Sequence, residues 1–390
     1  MVKSCRERMV AAISLEQPKM VPITDLTIEP RIVEALTGER TYGYWYGGYR
    51  SGGAGEALDA REVSRRNMKA MVRCYRKLGF DAVNISDYVL HGKGFNPKFL
   101  DAQTYRDHWG RIYRVRDDTR TSWWIDGVVR SPEDLDLWEP PDPYAPGRMA
   151  LLEEMVKSVG EEMVVVGFGH GAFQTAWQIR GGMDKLLRDI YAAPGFAKKL
   201  IQKVGDANFE WEKAMLETGI DIFGDGDDLA DMHGPFLGPR MFREWVIPYF
   251  NRAVHEARRK GVAFLKHTDG NITPILDILI DAGISGLHPM EPGAMEIGDV
   301  KAKYGDRIFI MGNVDCKHVL PLMDEEGVRR DVRRVIDAAS AGGGHVLASS
   351  NSLHSNVKPE NVLTMVDEAR KYGKYPLAGS PDLVRQVKRL

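Results

Sequence analysis

A histidine and a carboxylate stand two residues apart in Phe264-Leu265-Lys266-His267-Thr268-Asp269-Gly270-Asn271, directly after the apolar run Val262 to Leu265. An extended segment turns alternate side chains to one side, so His267 and Asp269 can hold one proton, one metal ion or one ligand between them. Gly270 and Asn271 then lead into Ile272-Thr273-Pro274-Ile275-Leu276-Asp277-Ile278-Leu279-Ile280, whose apolar residues recur with helical period. The unit is strand, polar loop, helix. Polar residues at the C-terminal end of a strand are where parallel α/β folds place their chemistry.

The same unit returns along the chain. Short apolar segments end on polar residues at Val21–Leu26 (Asp25), Asp81–Tyr88 (Asp87), Met163–His170 (His170), Ile220–Asp228 (Asp227, Asp228), Gly286–Glu291 (His288, Glu291), Ile308–Asp315 (Asn313, Asp315) and Gly344–Asn351. With the His267 segment that makes eight, alternating with helical patterns such as Arg6–Leu15 and Ala60–Leu78, and a (β/α)8 barrel is the fold they predict. The whole chain, 1–390, reads as one barrel domain. Its candidate site gathers His267, Asp269 and Glu291 as acid or metal-holding groups. Asp25, Asp87, His170, Gln174, Asp228, Asn313 and His354 are the candidate substrate contacts.

One stretch breaks the rhythm. Across residues 92–145 the helical period disappears, and Trp109-Gly110-Arg111-Ile112-Tyr113-Arg114-Val115 followed by Ser122-Trp123-Trp124-Ile125 alternates like a β-hairpin. Glu139-Pro140-Pro141-Asp142-Pro143 reads as its closing linker. The expectation is an insertion after the second strand that covers the barrel mouth. The aromatic, glycine-rich Thr41–Tyr49 reads either as packing under a long loop or as an apolar wall for a flat substrate.

Bulk properties exclude more than they choose. A net charge of −2 gives no basic footprint for nucleic acid. Cys5, Cys74 and Cys316 are too few and too scattered for a disulfide framework or an all-cysteine zinc site. The start, Met1-Val2-Lys3-Ser4-Cys5-Arg6-Glu7-Arg8, lacks a signal-type apolar run, and no apolar stretch is long enough to span a bilayer. The cytoplasm is the expected location.

Six ordered motifs carry a resemblance: Asp227-Asp228-Leu229-Ala230, Gly238-Pro239-Arg240-Met241-Phe242, the His267–Asn271 stretch, Gly286-Leu287-His288-Pro289-Met290-Glu291, Gly312-Asn313-Val314-Asp315 and Lys358-Pro359-Glu360-Asn361. Together they resemble the uroporphyrinogen decarboxylase superfamily, most strongly over residues 160–375. The resemblance implies a (β/α)8 barrel and one of two activities. One is porphyrinogen decarboxylation; the other is methyl transfer to or from a corrinoid (cobalamin) carried on a small partner protein. A homodimer is also implied by the resemblance.

The residues help choose. Decarboxylases of this superfamily carry an arginine-rich loop after the first strand, because a poly-carboxylate substrate needs guanidinium partners. Here Asp25-Leu26-Thr27-Ile28-Glu29-Pro30-Arg31 is acidic with one arginine, and the strand ends are lined with carboxylates that repel such a substrate. The thiol-directed methyltransferases carry a zinc motif of His-x-Cys with a distant cysteine. Here the pair is His267-x-Asp269, and Asn351 stands near the later cysteine, so a thiolate-rich zinc is not expected. What remains resembles the branch that demethylates methoxylated, aromatic donors and hands the methyl group to cob(I)alamin on a corrinoid protein. An aryl ether oxygen leaves poorly unless protonated or bound to a Lewis acid, and His267, Asp269 and Glu291 are suited to either role, zinc included.

Duller readings stand beside these. Asp227 and Asp228 suit capping of the helix that follows, or salt bridges within the barrel, as well as substrate contact. His288 before Pro289 reads first as a buried, satisfied histidine, and Cys316 as an inert thiol. Asn313 and Asp315 can simply order a loop. The alternatives to the methyltransferase are a decarboxylase and a non-catalytic barrel that binds a ligand or corrinoid protein.

Overall fold

A computed structural model describes residues 4–41, 60–95 and 97–377. The expected aromatic wall at Tyr42–Tyr49 lies outside the described residues. Seven parallel strands form one sheet: β1 (Ala82–Ser86), β6 (Val164–His170), β7 (Ile222–Gly226), β10 (Ala263–His267), β11 (Gly286–His288), β12 (Phe309–Met311) and β13 (His345–Val346), in that order around the sheet. The eighth stave is the Val21–Leu26 segment, as the sequence suggests. It bridges Leu347 in parallel through Ile23, and Asp81 N donates to Ile23 O at 2.8 Å on its other side. The sheet is thereby closed into a (β/α)8 barrel.

Alternation along the strands explains what fills it. Ala82, Val164, Val166, Ile222, Leu265, Phe309, Met311, Val346 and Ala348 form one apolar cluster inside the barrel. Met9 and Ala12 of the first helix, Cys5–Ile13, join that cluster and stopper one end. Ser4 caps this helix with a reciprocal box to Glu7, satisfying backbone N–H groups that the helix leaves unpaired. Between strands and outer helices lies the second, larger apolar layer, as a barrel of this kind requires.

The insertion is larger than the expected hairpin. β4 (Ile112–Arg116) and β5 (Thr121–Asp126) pair antiparallel as the alternation predicts, but β2 (Lys98–Phe99) and β3 (Thr104–Arg106) extend the sheet to four strands. Their turn hides no apolar period. It is made by the Asp101 carboxylate, which accepts from Gln103 N and Thr104 N at 2.8 and 2.7 Å. The sheet packs on helix Ala172–Arg180: Trp124 meets Trp177 edge to face at 4.9 Å and donates Nε1–H to Gln178 O. Arg111, paired with Asp107 in the insertion, lies 4.7 Å from the Tyr88 ring centre, and Tyr88 packs on His170 at the end of β6.

Candidate active site

Parallel register sets the site. His267 is level with Gly226 on β7 and with His288 on β11, so three adjacent strands end at one height, with the two histidines side by side. His267 Nδ1 lies 2.7 Å from His288 Nδ1, and the two rings stack with centroids 5.0 Å apart. On its other side His267 Nε2 lies 4.0 Å from Asp269 Oδ1. Ligand atoms of Asp228, His267 and Asp269 all lie within 4.8 Å of one another. Gly270 makes the close approach possible: its φ is +78°, and a Cβ there would sit 2.5 Å from Asp231 O.

Each member is held from behind. Asn351 Nδ2 donates to both Asp269 oxygens at 2.9 and 2.8 Å. The Asp269 backbone N donates to Asp228 Oδ1 at 3.3 Å, and Asp228 N donates to Gln174 Oε1 at 3.0 Å. Thr268 Oγ1 accepts from Leu229 N at 2.9 Å, tying the β7 and β10 loops together. Lys266, wholly buried, donates to Asp225 Oδ2 at 2.5 Å and to Asp227 O at 3.0 Å, so its charge is spent behind the site.

The electrostatics favour proton-holding at neutral pH. Burial, then the charges of Asp228 and Glu291, push the Asp269 carboxyl up to about 7. Its side chain keeps 37% of its surface open, so it sits deep among protein groups yet is reached from outside. Burial also lowers His267 to about 4 despite the opposing charge of Asp228, and it lowers His288 well below the ordinary histidine value. Both imidazoles are therefore neutral.

A second pair faces the first. His170 Nδ1 lies 3.0 Å from Asp87 Oδ1, and the Phe168 ring stands between the two histidines, 6.3 Å from His170 and 5.6 Å from His267. Of the residues the sequence proposes, His267, Asp269, Asp228, Gln174, His170 and Asp87 thus come together, with Glu291 near enough to act on Asp269 by its charge. The converging donor set contains Asp228 rather than Glu291: Asp228 lies two residues beyond β7, while Glu291 follows Pro289 and Met290, three residues beyond β11.

Three others are engaged elsewhere. Asn313 is buried and donates Nδ2–H to Met290 O at 2.6 Å; His354 Nε2 contacts Cys316 O at 2.7 Å. Asp25 is wholly buried, accepting from Ser349 N at 2.9 Å and Thr27 N at 3.4 Å. Burial raises the Asp25 carboxyl to about 7. A carboxyl raised on folding keeps its proton while the unfolded chain loses it, so stability falls as pH rises from about 4 to about 7. The full effect is on the order of 4 kcal/mol. Asp25→Asn should remove that slope, and urea unfolding at pH 5 and pH 8 checks it; parallel curves for both proteins would sink the assignment.

Asp227 corrects the expectation that it caps the helix after it. Its carboxylate accepts from Phe173 N at 3.2 Å and Gln174 N at 2.6 Å, and so caps the helix that follows the neighbouring strand β6. His288 is buried as expected but not satisfied, since its Nε2 has no hydrogen-bond partner among the described residues. Asn351 is the site residue that sequence reasoning passed over, although its alignment beside a metal-motif cysteine pointed to it.

The donor set suits a hard Lewis acid. Oxygen from Asp228 and Asp269 and nitrogen from His267 match zinc without thiolate, and a ligating histidine whose other ring nitrogen is hydrogen-bonded, as His267 is to His288, is the usual arrangement. Cys316 takes no part; its thiol accepts from Ser350 Oγ, and burial raises it.

The fold has known counterparts. A methyltransferase from Methanosarcina mazei superposes with TM-score 0.70 at 17% identity, over 95% of this chain and 99% of that one. A B12-independent methionine synthase from Shewanella sp. does so with TM-score 0.50 at 11% identity, over 95% and 100%. In sequence, the uroporphyrinogen decarboxylase of Methylococcus capsulatus is 23% identical over 257 residues, 63% of this chain and 70% of that protein. That of Aliivibrio fischeri is 25% identical over 255 residues, 62% and 69%. The sequence profile of the uroporphyrinogen decarboxylase (URO-D) family matches residues 118–372, well over half of the chain, and the protein belongs to that family.

Proposed function

We propose that the protein is a methyltransferase that takes the methyl group of a methoxylated, aromatic donor and passes it to cob(I)alamin on a separate corrinoid protein. The observation that carries this reading is the convergence of Asp228, His267 and Asp269 at the open end of the barrel, with Asp269 raised to about 7. An aryl ether oxygen must gain a proton or a Lewis acid as its methyl carbon departs, and a carboxyl poised near neutrality holds that proton where it is needed. When bound by Asp228, His267 and Asp269, zinc would supply the Lewis acidity instead. Asn351 orients Asp269 in either case, and the His170–Asp87 pair with Phe168 and Tyr88 offers an aromatic wall with one polar edge.

The same charges weigh against decarboxylation of a porphyrinogen, the activity for which the sequence relatives are named. The first loop offers Arg31 as its one guanidinium, placed 3.4 Å from Ser355 O, beside Glu29, which accepts from Ser355 N at 2.7 Å. A substrate carrying many carboxylates would meet Asp87, Asp228, Asp269 and Glu291 instead. The deciding experiment mixes the protein with chemically reduced cob(I)alamin, alone and on a corrinoid protein, and a panel of methoxybenzoates. Loss of the cob(I) absorption with formation of methylcobalamin is expected for at least one donor. Inactivity across the panel together with release of carbon dioxide from uroporphyrinogen would overturn the reading in favour of decarboxylation.

A further inference from the structure

Two imidazoles whose Nδ1 atoms are 2.7 Å apart share one hydrogen, because one Nδ1 must donate and the other accept. The contact leaves two ring nitrogens with different surroundings. His267 Nε2 faces Asp228 and Asp269, whereas His288 Nε2 is enclosed with no hydrogen-bond partner among the described residues. His288 is itself wholly buried. A buried imidazole with one orphaned nitrogen is costly, on the order of 1–3 kcal/mol, and an apolar residue of similar size would avoid the cost. Packing alone therefore gives no reason for a histidine here.

We infer that His288 is a positioning residue: its Nδ1 contact holds the His267 ring with Nε2 aimed at Asp228 and Asp269 and sets which His267 nitrogen carries the proton. With His267 Nδ1–H donating to His288, the His267 Nε2 lone pair is free for a cation or an acidic proton between the carboxylates. With the shared hydrogen on His288 instead, His267 Nε2–H points at those carboxylates as a donor. In either arrangement each ring carries a single hydrogen, so the tautomer of His288, with its hydrogen on Nδ1 or on the enclosed Nε2, fixes that of His267. The register supplies the rigidity, since His267 and His288 are directly paired on neighbouring strands, and Thr268 N donates to His288 O at 3.2 Å just beyond.

The metal-binding half of this inference rests on the site reading given above; the tautomer half does not. Zinc affinity, measured by competition with a chromophoric chelator, is compared for wild type, His288→Leu and His288→Asn. Asparagine keeps an acceptor and a donor toward His267, and leucine keeps neither. Leucine should weaken zinc binding about 10–100-fold, and asparagine should restore much of it. Equal affinity in all three would overturn the positioning role. If wild type itself binds no zinc, the metal reading falls, and nitrogen-15 shifts of the His267 ring then decide. A single tautomer in wild type that becomes a mixture in His288→Leu supports the inference; an unchanged ring refutes it. Circular dichroism of each variant separates these effects from unfolding.

Discussion

Replacing Asp269 by alanine should lower methyl transfer by about 10²–10³-fold while leaving the fold intact, the range expected when a group that supplies or holds the transferred proton is lost. His267→Ala should do the same. The fold survives because both side chains stand at strand ends and the Asp269 side chain is 37% open, so their removal leaves no sealed cavity in the apolar layers. Asp269→Asn is the sharper probe. It preserves shape, but its amide cannot release a proton, and its nitrogen or oxygen must face Asn351 Nδ2, which now donates to both carboxylate oxygens. Activity as low in Asp269→Asn as in Asp269→Ala is the expected outcome. Turnover near wild type in both would remove Asp269 from the chemistry, and the proposed mechanism with it.

The second large effect is expected at Gly171. A Cβ built there would lie 2.2 Å from the Asp227 carboxylate and 2.4 Å from its Cβ, closer than atoms can approach. Gly171→Ala must push Asp227 off the N–H groups of Phe173 and Gln174, and leaves that helix end without its acceptor. Overpacking and the lost cap together should cost about 2–4 kcal/mol. Gln174 moves too, and with it the bond from Asp228 N that places Asp228 beside Asp269, so turnover should fall at least tenfold. Gly195→Ala is the matched control: a Cβ there meets nothing within 4 Å and lies in helix Pro194–Leu216, where alanine is the better helix former. Thermal melts should place Gly171→Ala well below wild type and Gly195→Ala at or slightly above it. Equal melting of the two variants would mean that the capped helix end adjusts freely.

Five residues of the site could be read from the chain because the rule that exposes them is local. A parallel strand ends on its chemistry, and two residues apart means one face, so His267 and Asp269 announce themselves, as do Asp87, His170 and Asp228. Helix positions followed the same logic where the apolar period is clear, as in Ala60–Leu78 and in Thr273–Ala282, expected over Ile272–Ile280. The strands proved shorter than their apolar runs; Gly344–Asn351 contributes His345 and Val346 to a regular strand, with Leu347 and Ser349 in isolated bridges to Ile23 and Val314.

By itself, then, the sequence determined the eight-fold alternation of strand and helix, the acidic character of the strand ends and the absence of a thiolate metal set, since these depend on residue types and on periods of two and 3.6. Tertiary structure alone decided which of the strand-end groups meet. Asp228 rather than Glu291 joins His267 and Asp269, Asn351 closes on Asp269, Asp227 caps a helix 54 residues before it, and His288 takes the ring of His267. Those pairings depend on register between strands and on the missing Cβ atoms of Gly171 and Gly270, and neither leaves a periodic trace along the chain.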